Sequence, residues 1–363
     1  MKNRILGIEK SEILLNNLAK FLHTKMDVIN IPSKNRDFLL FEKSLKKFKS
    51  EKLFEQINEL NNIKNNYDLC IVSSWYAAKL AFLCNINYIF YFIGDDIRNP
   101  PLLEKIISDD DLNLDFLKKQ SYSYQDVFNN AITCVTGSEE LFNLLKSFRS
   151  DSIRIDRTIV TPNIFNRNLQ PVNIKKNKFT FFCPTRIGSE KGIDILWKAI
   201  KLCNTDFEIL QINWLDTKNL EIQKESERIL QEKPSNVYLI DSIKHEDMGR
   251  YYTYADCVLG EMKTGHTNSI EREAALCHKP VLNYNDNRTK SFMDGKELIT
   301  PFLPQSNEPI EIAKIIDRIV TDKEFRENLA DKEYYFMKNL TDPEKTATEW
   351  DNLIKKILYK LQK

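Results

Sequence analysis

Nine glycines in 363 residues is few, and no G-x-G-x-x-G follows the first strand of either half, which speaks against a dinucleotide-dependent dehydrogenase. Histidine is scarcer: the four are dispersed, so no zinc site is expected. The seven cysteines form no C-x-x-C pair. Their odd number and apolar surroundings read as reduced core thiols of a cytoplasmic protein. No apolar run approaches the roughly 20 residues that span a bilayer. The N-terminal stretch lacks the apolar core and small-residue cleavage site of a signal peptide. Net charge is +1, which leaves no global field to recruit nucleic acid or an anionic membrane; any such contact must come from a local patch.

What is present is the composition of a soluble globular protein, 42% hydrophobic and 29% charged, in a chain too long for one small core. Residues 4–8 form a short candidate strand, with Gly7 at the turn into a helix marked by Leu14, Leu15, Leu18 and Leu22. A second strand-like run covers 26–31. Residues 41–64 interleave Phe41, Leu45, Phe48, Leu53, Phe54 and Ile57 with Lys43, Lys46, Lys47, Lys49 and Lys52. This predicts a basic amphipathic helix or helix pair, either a solvated face or one that rests on anionic headgroups at the inner membrane face. Residues 68–73 and 88–93 are near-continuous apolar runs, the pattern of strands buried on both faces of a parallel sheet, with a short helix over 75–84 between them. The second run empties into Gly94, Asp95 and Asp96. The carboxyl end of a parallel strand is where ligands collect; an Asx turn with a helix cap would also put Asp there. A further strand at 131–135 precedes Ser138 as the N-cap of a helix ending at Phe148.

A polar stretch over 163–178 reads as the interdomain linker. Strand candidates then resume at 179–183, 207–212, 236–239, 257–260 and 281–284, separated by helical segments, which argues a second parallel sheet. The expectation is an α/β fold of two doubly wound domains facing each other across a cleft, 1–170 and 171–345. A final helix, 346–363, carries an apolar stripe from Trp350 to Leu361 that must be buried. The most informative stretch is 178–202. A strand ends in a turn bearing Arg186, Gly188, Lys191 and Gly192 and feeds a helix marked by Ile193, Leu196, Trp197 and Ile200. Such a turn points amides at the space above the strand, and two cations there would hold a diphosphate; an ordinary turn with solvated charges has the same pattern.

Taken in order, these segments resemble the retaining glycosyltransferases of the large family 4, or group 1, type, built from two Rossmann-like domains in the GT-B fold. The resemblance is carried by Arg186, Lys191 and Gly192, by the lead-in HEDMGRYYTYADCVL, and by Glu273, Ala274, Cys277, Pro280 and Val281. Weaker echoes are DLCIVSSWYAAKL, FIGDDIR, VTGSEELFNLL and VTPN. The resemblance implies transfer of a sugar from a UDP- or GDP-sugar, with no metal and no other cofactor, to a glycan, lipid-linked or protein-linked acceptor. It makes Arg186, Lys191 and Asp96 the catalytic residues and Glu273 the acceptor of ribose hydroxyls. Gly265, His266, Thr267, Asn268 and Ser269 would hold phosphates and donor sugar, and Gly7, Gly94 and Asp95 would complete the binding residues. It also implies a C-terminal helix that packs back toward the N-terminal domain. Three positions depart from the pattern: Gly265 where Glu is usual, Ile93 where His is usual, and His278 where Gly is usual. The first two support a second reading, a catalytically silent relative that binds sugar or partners an active transferase.

Overall fold

The computed structural model describes residues 4–10, 13–32, 39–40, 46–105, 122–155, 159–217, 219–265, 267–286, 290–293 and 296–363. The chain forms two compact units, each described by itself. Up to Ile159 the strands are β1 (Ile5–Glu9), β2 (Met26–Asn30), β3 (Leu39–Leu40), β4 (Leu69–Ser73), β5 (Tyr88–Phe92), β6 (Thr133–Thr136) and β7 (Ile153–Arg154). All but β3 form one parallel sheet in the order β2-β1-β4-β5-β6-β7. Every residue of β1, β4, β5 and β6 is buried, as apolar runs covered on both faces require. Among the covering helices are α1 (Leu14–Phe21), α2 (Leu53–Ile63) and α3 (Trp75–Leu83).

Two local expectations are corrected. Gly7 lies in the middle of β1 rather than at its turn, and a Cβ there would come within 2.6 Å of the Met26 Cε and 3.1 Å of Val28. Its hydrogen makes room for β2 side chains. The basic segment is not one helix over 41–64. Residues 41–45 lie outside the described residues, and 46–48 run beside the edge of β2, where Asn30 N donates to Lys46 O and Phe48 N to Asn30 O. Burial of Phe48 in the core and these backbone bonds outweigh the helical spacing, and α2 begins only at Leu53.

Val160–Thr341, together with the earlier strand β3, makes the second unit. Its strands are β8 (Thr180–Cys183), β9 (Glu208–Ile212), β10 (Val237–Ile240), β11 (Ile243–Lys244), β12 (Cys257–Leu259) and β13 (Val281–Leu282). The parallel sheet runs β10-β9-β8-β12-β13, and β11 pairs with β3. The polar stretch over 163–178 is less free than its composition suggests. Phe165 is buried and Leu169 and Val172 pack against the same core cluster as Phe182 and Tyr252. All seven cysteines are free thiols, six of them buried; burial pushes Cys84 and Cys183 up to about 12.

The last helix, Pro343–Leu361, belongs to the first unit. Its stripe of Trp350, Leu353, Ile354, Ile357 and Leu358 packs with Ile5, Leu69, Ile71, Ile89 and Val135 on one face of the first sheet. Trp350 stands edge-on to Tyr91 at 5.0 Å. The buried Asp351 carboxylate accepts the backbone N–H groups of His23 (2.9 Å) and Thr24 (3.0 Å), tying the helix to the exit of α1. Trp350→Ala is therefore expected to cost about 3–5 kcal/mol, whereas Tyr359→Ala, 59% exposed on the same helix, should stay within about 0.5 kcal/mol of wild type. Urea unfolding followed by circular dichroism checks both.

Candidate functional site

The turn that the sequence suggests as a diphosphate cradle lies in the second unit, where β8 and β12 lie side by side. After β8 the chain passes Arg186, makes a single 3-10 turn over Ser189–Lys191 and enters helix Ile193–Ile200 through Gly192. Gly192 has φ +69°, and a Cβ there would stand 2.8 Å from the Met262 carbonyl carbon and 3.0 Å from Lys263 N. Glycine is needed on both counts, for the left-handed backbone and for the close approach. That approach lets Met262 N donate to Lys191 O at 3.0 Å, locking the turn onto the segment that leaves β12. On the other side, Ile187 N donates to Trp214 O and Asp216 N to Ile187 O, which pins the Arg186 backbone to the exit of β9.

Both cations are held by acids. Arg186 lies 3.4 Å from Asp216 Oδ1 and 3.7 Å from Glu190, with its guanidinium over the Trp214 ring at 5.3 Å. The Lys191 ammonium contacts the buried Glu261 carboxylate. Asp216 is also buried, so the counter-charges sit below and the cations, about three-tenths exposed, stand toward solvent. Asn283 Oδ1 accepts from Glu261 N and fixes that acid from β13. Glu271 lies behind: it accepts the Asn268 N–H at the start of helix Ser269–Leu276. Burial first, and then the Glu261 charge, push its carboxyl up to about 7.

Glu273 lies on the same helix and is buried. Tyr252 donates to its Oε2 at 3.0 Å, and His245 Nε2 stands 3.6 Å from its Oε1. Burial, and next the Glu273 charge, hold the Tyr252 phenol well above its ordinary range. Thr267, Asn268 and Ser269 lie at the entry of this helix and His266 falls outside the described residues. Gly265 explains one departure in the sequence. It has φ +73°, and a Cβ there would meet the Asp286 carboxyl at 2.8 Å, so a side chain at position 265 would strain the backbone and displace Asp286. His278, another departure, follows the same helix with φ +58° and places Nε2 2.6 Å from Asp331 Oδ1; the backbone there is one for which glycine has no Cβ penalty.

Asp96, Gly94 and Gly7 belong to the first unit. The Asp96 carboxylate accepts the N–H groups of Ile93 and Gly94, with Gly94 at 2.8 Å, so it caps its own turn. Burial raises its pKa although those amides lower it. Asp95 starts the following short helix, and its side chain lies outside the described residues. Sequence reading singled out Arg186, Lys191 and Glu273 but missed Asp216, Trp214, His245 and Tyr252. Asp216 could have been found as the first acid after the apolar run of β9; the others carry no local signal. Among the described residues no cluster of three or more His, Cys, Asp or Glu is placed to hold a metal, and no helix is long and apolar enough to cross a membrane.

Two such parallel sheets, each flanked by helices, define the GT-B class of α/β fold, and comparison with known proteins agrees. Residues 165–335, which contain the whole cradle, match the family of glycosyl transferases group 1. HepE of Anabaena, solved with UDP and glucose, is 15% identical with a TM-score of 0.70, over 97% of this chain and 99% of that one. A sucrose-phosphate synthase of Thermosynechococcus elongatus is 15% identical with a TM-score of 0.64, over 98% and 99%. A glycosyltransferase of Rickettsia africae is 14% identical with a TM-score of 0.63, over 98% of both chains. The search of curated protein sequences found no match.

The raised carboxyl of Glu271 has a signed consequence. Between about pH 4.5 and 7 the folded protein keeps a proton that the unfolded chain has released, so stability falls as pH rises through that window. Glu271→Gln removes this contribution, and its stability should decline less steeply than that of wild type by up to about 1.4 kcal/mol per pH unit. Urea unfolding at several pH values reads the difference, and parallel profiles would show that Glu271 ionises in the fold as readily as a free carboxyl.

Proposed function

We propose that this protein is a glycosyltransferase that moves a sugar from a nucleoside diphosphate donor, UDP- or GDP-linked, to a glycan or lipid-linked acceptor. The observation that carries the reading is the Arg186–Lys191 turn locked between the exits of β9 and β12, inside the region that matches the glycosyltransferase family. The hard step of the reaction is departure of the diphosphate, which gathers negative charge as the glycosidic bond breaks. Cations already fixed beside the leaving oxygens stabilise that charge without rearranging during the reaction. Arg186 supplies a planar fork matched to phosphate oxygens and Lys191 a mobile point charge. Glu273 accepts a ribose hydroxyl, the task of an acid in other Rossmann nucleotide sites. HepE, solved with UDP-glucose, supports uridine as the nucleoside. Transfer is proposed to be retaining, the acceptor hydroxyl passing its proton to the departing diphosphate on the same face, and the anomeric signal of the product in proton NMR reads it.

Arg186→Ala and Lys191→Ala are each expected to lower kcat by about 10²-fold or more, measured by release of UDP or GDP from a panel of nucleotide sugars. Absence of donor hydrolysis, of transfer and of any nucleoside diphosphate binding by wild type would overturn the reading. A lipid-linked acceptor is favoured by the lysines before α2, of which Lys46, Lys47, Lys49 and Lys52 are exposed. Vesicles with anionic lipid should sediment wild type and release a variant in which Lys46, Lys47 and Lys49 are Glu; equal sedimentation would remove the membrane from the proposal.

A further inference from the structure

Glu273 does not stand alone in the site. Its partner Tyr252 lies on helix Met248–Tyr254, fully buried. The ring is held by Phe182, 5.7 Å away and edge-on, and by Phe165 at 6.0 Å. Phe165 also stands edge-on to His245 at 5.4 Å, so one side chain sets both rings that flank the carboxylate. The two flanks differ in chemistry. Tyr252 Oη lies 3.0 Å from Glu273 Oε2, a hydrogen bond to a charged acceptor. His245 Nε2 is 3.6 Å from Oε1, beyond hydrogen-bond reach. A carboxylate free to turn about its last bond would offer either oxygen to a ligand; this one is held in a single orientation.

We propose that Tyr252 is a positioning residue of the nucleotide site: its phenol holds Glu273 Oε2 and thereby presents Oε1, on the His245 side, to a ribose hydroxyl. The proposal rests on the reading of Glu273 as the ribose acceptor. It differs from a structural role for the phenol in one respect. A merely structural bond would affect every ligand of the site alike, whereas a positioning bond affects only ligands that carry the ribose hydroxyls.

Titration calorimetry with UDP and with 2′,3′-dideoxy-UDP separates the two. Tyr252→Phe keeps the ring against Phe165 and Phe182 and should weaken UDP about 10-fold, the worth of a hydrogen bond to a charged group, while leaving the dideoxy analogue unchanged. Equal weakening of both ligands, or of neither, would overturn the proposal. Glu273→Gln is the control for the underlying reading: if that variant distinguishes the two nucleotides as well as wild type does, Glu273 is not the ribose acceptor and the reading itself fails. If it loses the distinction and Tyr252→Phe does not, only the positioning role fails. Should Tyr252→Phe not fold, wild type labelled with 3-fluorotyrosine serves instead. The fluorine signal that moves in Glu273→Gln identifies Tyr252; it should shift with UDP and stay still with the dideoxy analogue, and a signal that ignores UDP would overturn the proposal.

Discussion

The second unit turns on the hydrogen atom at the Cα of Gly192. Where the turn after β8 meets the chain leaving β12, a Cβ would press on the backbone of Met262 and Lys263. With only hydrogen there, Met262 N reaches Lys191 O, and the residue just before Met262 is Glu261, the acid that holds the Lys191 side chain. Gly260 repeats the device one step earlier, since a Cβ there would run into the side-chain oxygens of Glu271 and Asn283. Two backbones brought this close fix the lysine, its counter-ion and the acid behind it in one arrangement. Rigid backbone on both sides is what lets a site hold charge without first collecting it.

Electrostatics then decides how the cradle exists without a ligand. Arg186 and Lys191 are separated by only five positions in a tight turn, and like charges so placed repel. Asp216, Glu190 and Glu261 offset that repulsion. Taking a buried carboxylate out of water is costly unless it is paired, so Asp216 and Glu261 need the cations as much as the cations need them. Below about pH 7 the proton that burial keeps on Glu271 spares the pocket one more negative charge beside Glu261. Two of the acid partners, Asp216 and Glu261, lie buried in the protein, while Arg186, Lys191 and Glu190 are partly exposed to water.

Much of this was legible in the sequence, for a physical reason. Strands buried on both faces are largely apolar, so β4 and β5 announced themselves as near-continuous runs and β8 as a short aromatic one. A turn with cations and glycine after such a run is also the pattern of an ordinary solvated turn, so Arg186 and Lys191 stood out only together with the downstream Glu273 helix and the order of the flanking elements. What was hidden depended on partners distant in the chain. Tyr252 is an ordinary aromatic residue until helix Ser269–Leu276 brings Glu273 to it, and Gly265 looks like a lost acid until Asp286 is seen to fill the space a side chain would need. The segment before α2 misled because helical spacing of Phe48 and its neighbours cannot reveal an available sheet edge at β2. Helix Pro309–Thr321 could have been found, since Ile312, Ile316 and Ile319 recur at helical spacing after a proline suited to a first turn.

The helix that closes the first unit is made only after the whole of the second. Ile5, Leu69, Ile71, Ile89 and Val135 leave the ribosome hundreds of residues before Trp350 and Ile354, which cover them in the finished protein. Throughout synthesis of the second unit, one face of an otherwise complete sheet is therefore an uncovered apolar surface, open to wrong partners. The second unit, continuous in Val160–Thr341 apart from the strand pair β3–β11, has no such debt to the residues that follow it. The order of birth is thus the reverse of the order of completion: the half begun first is finished last.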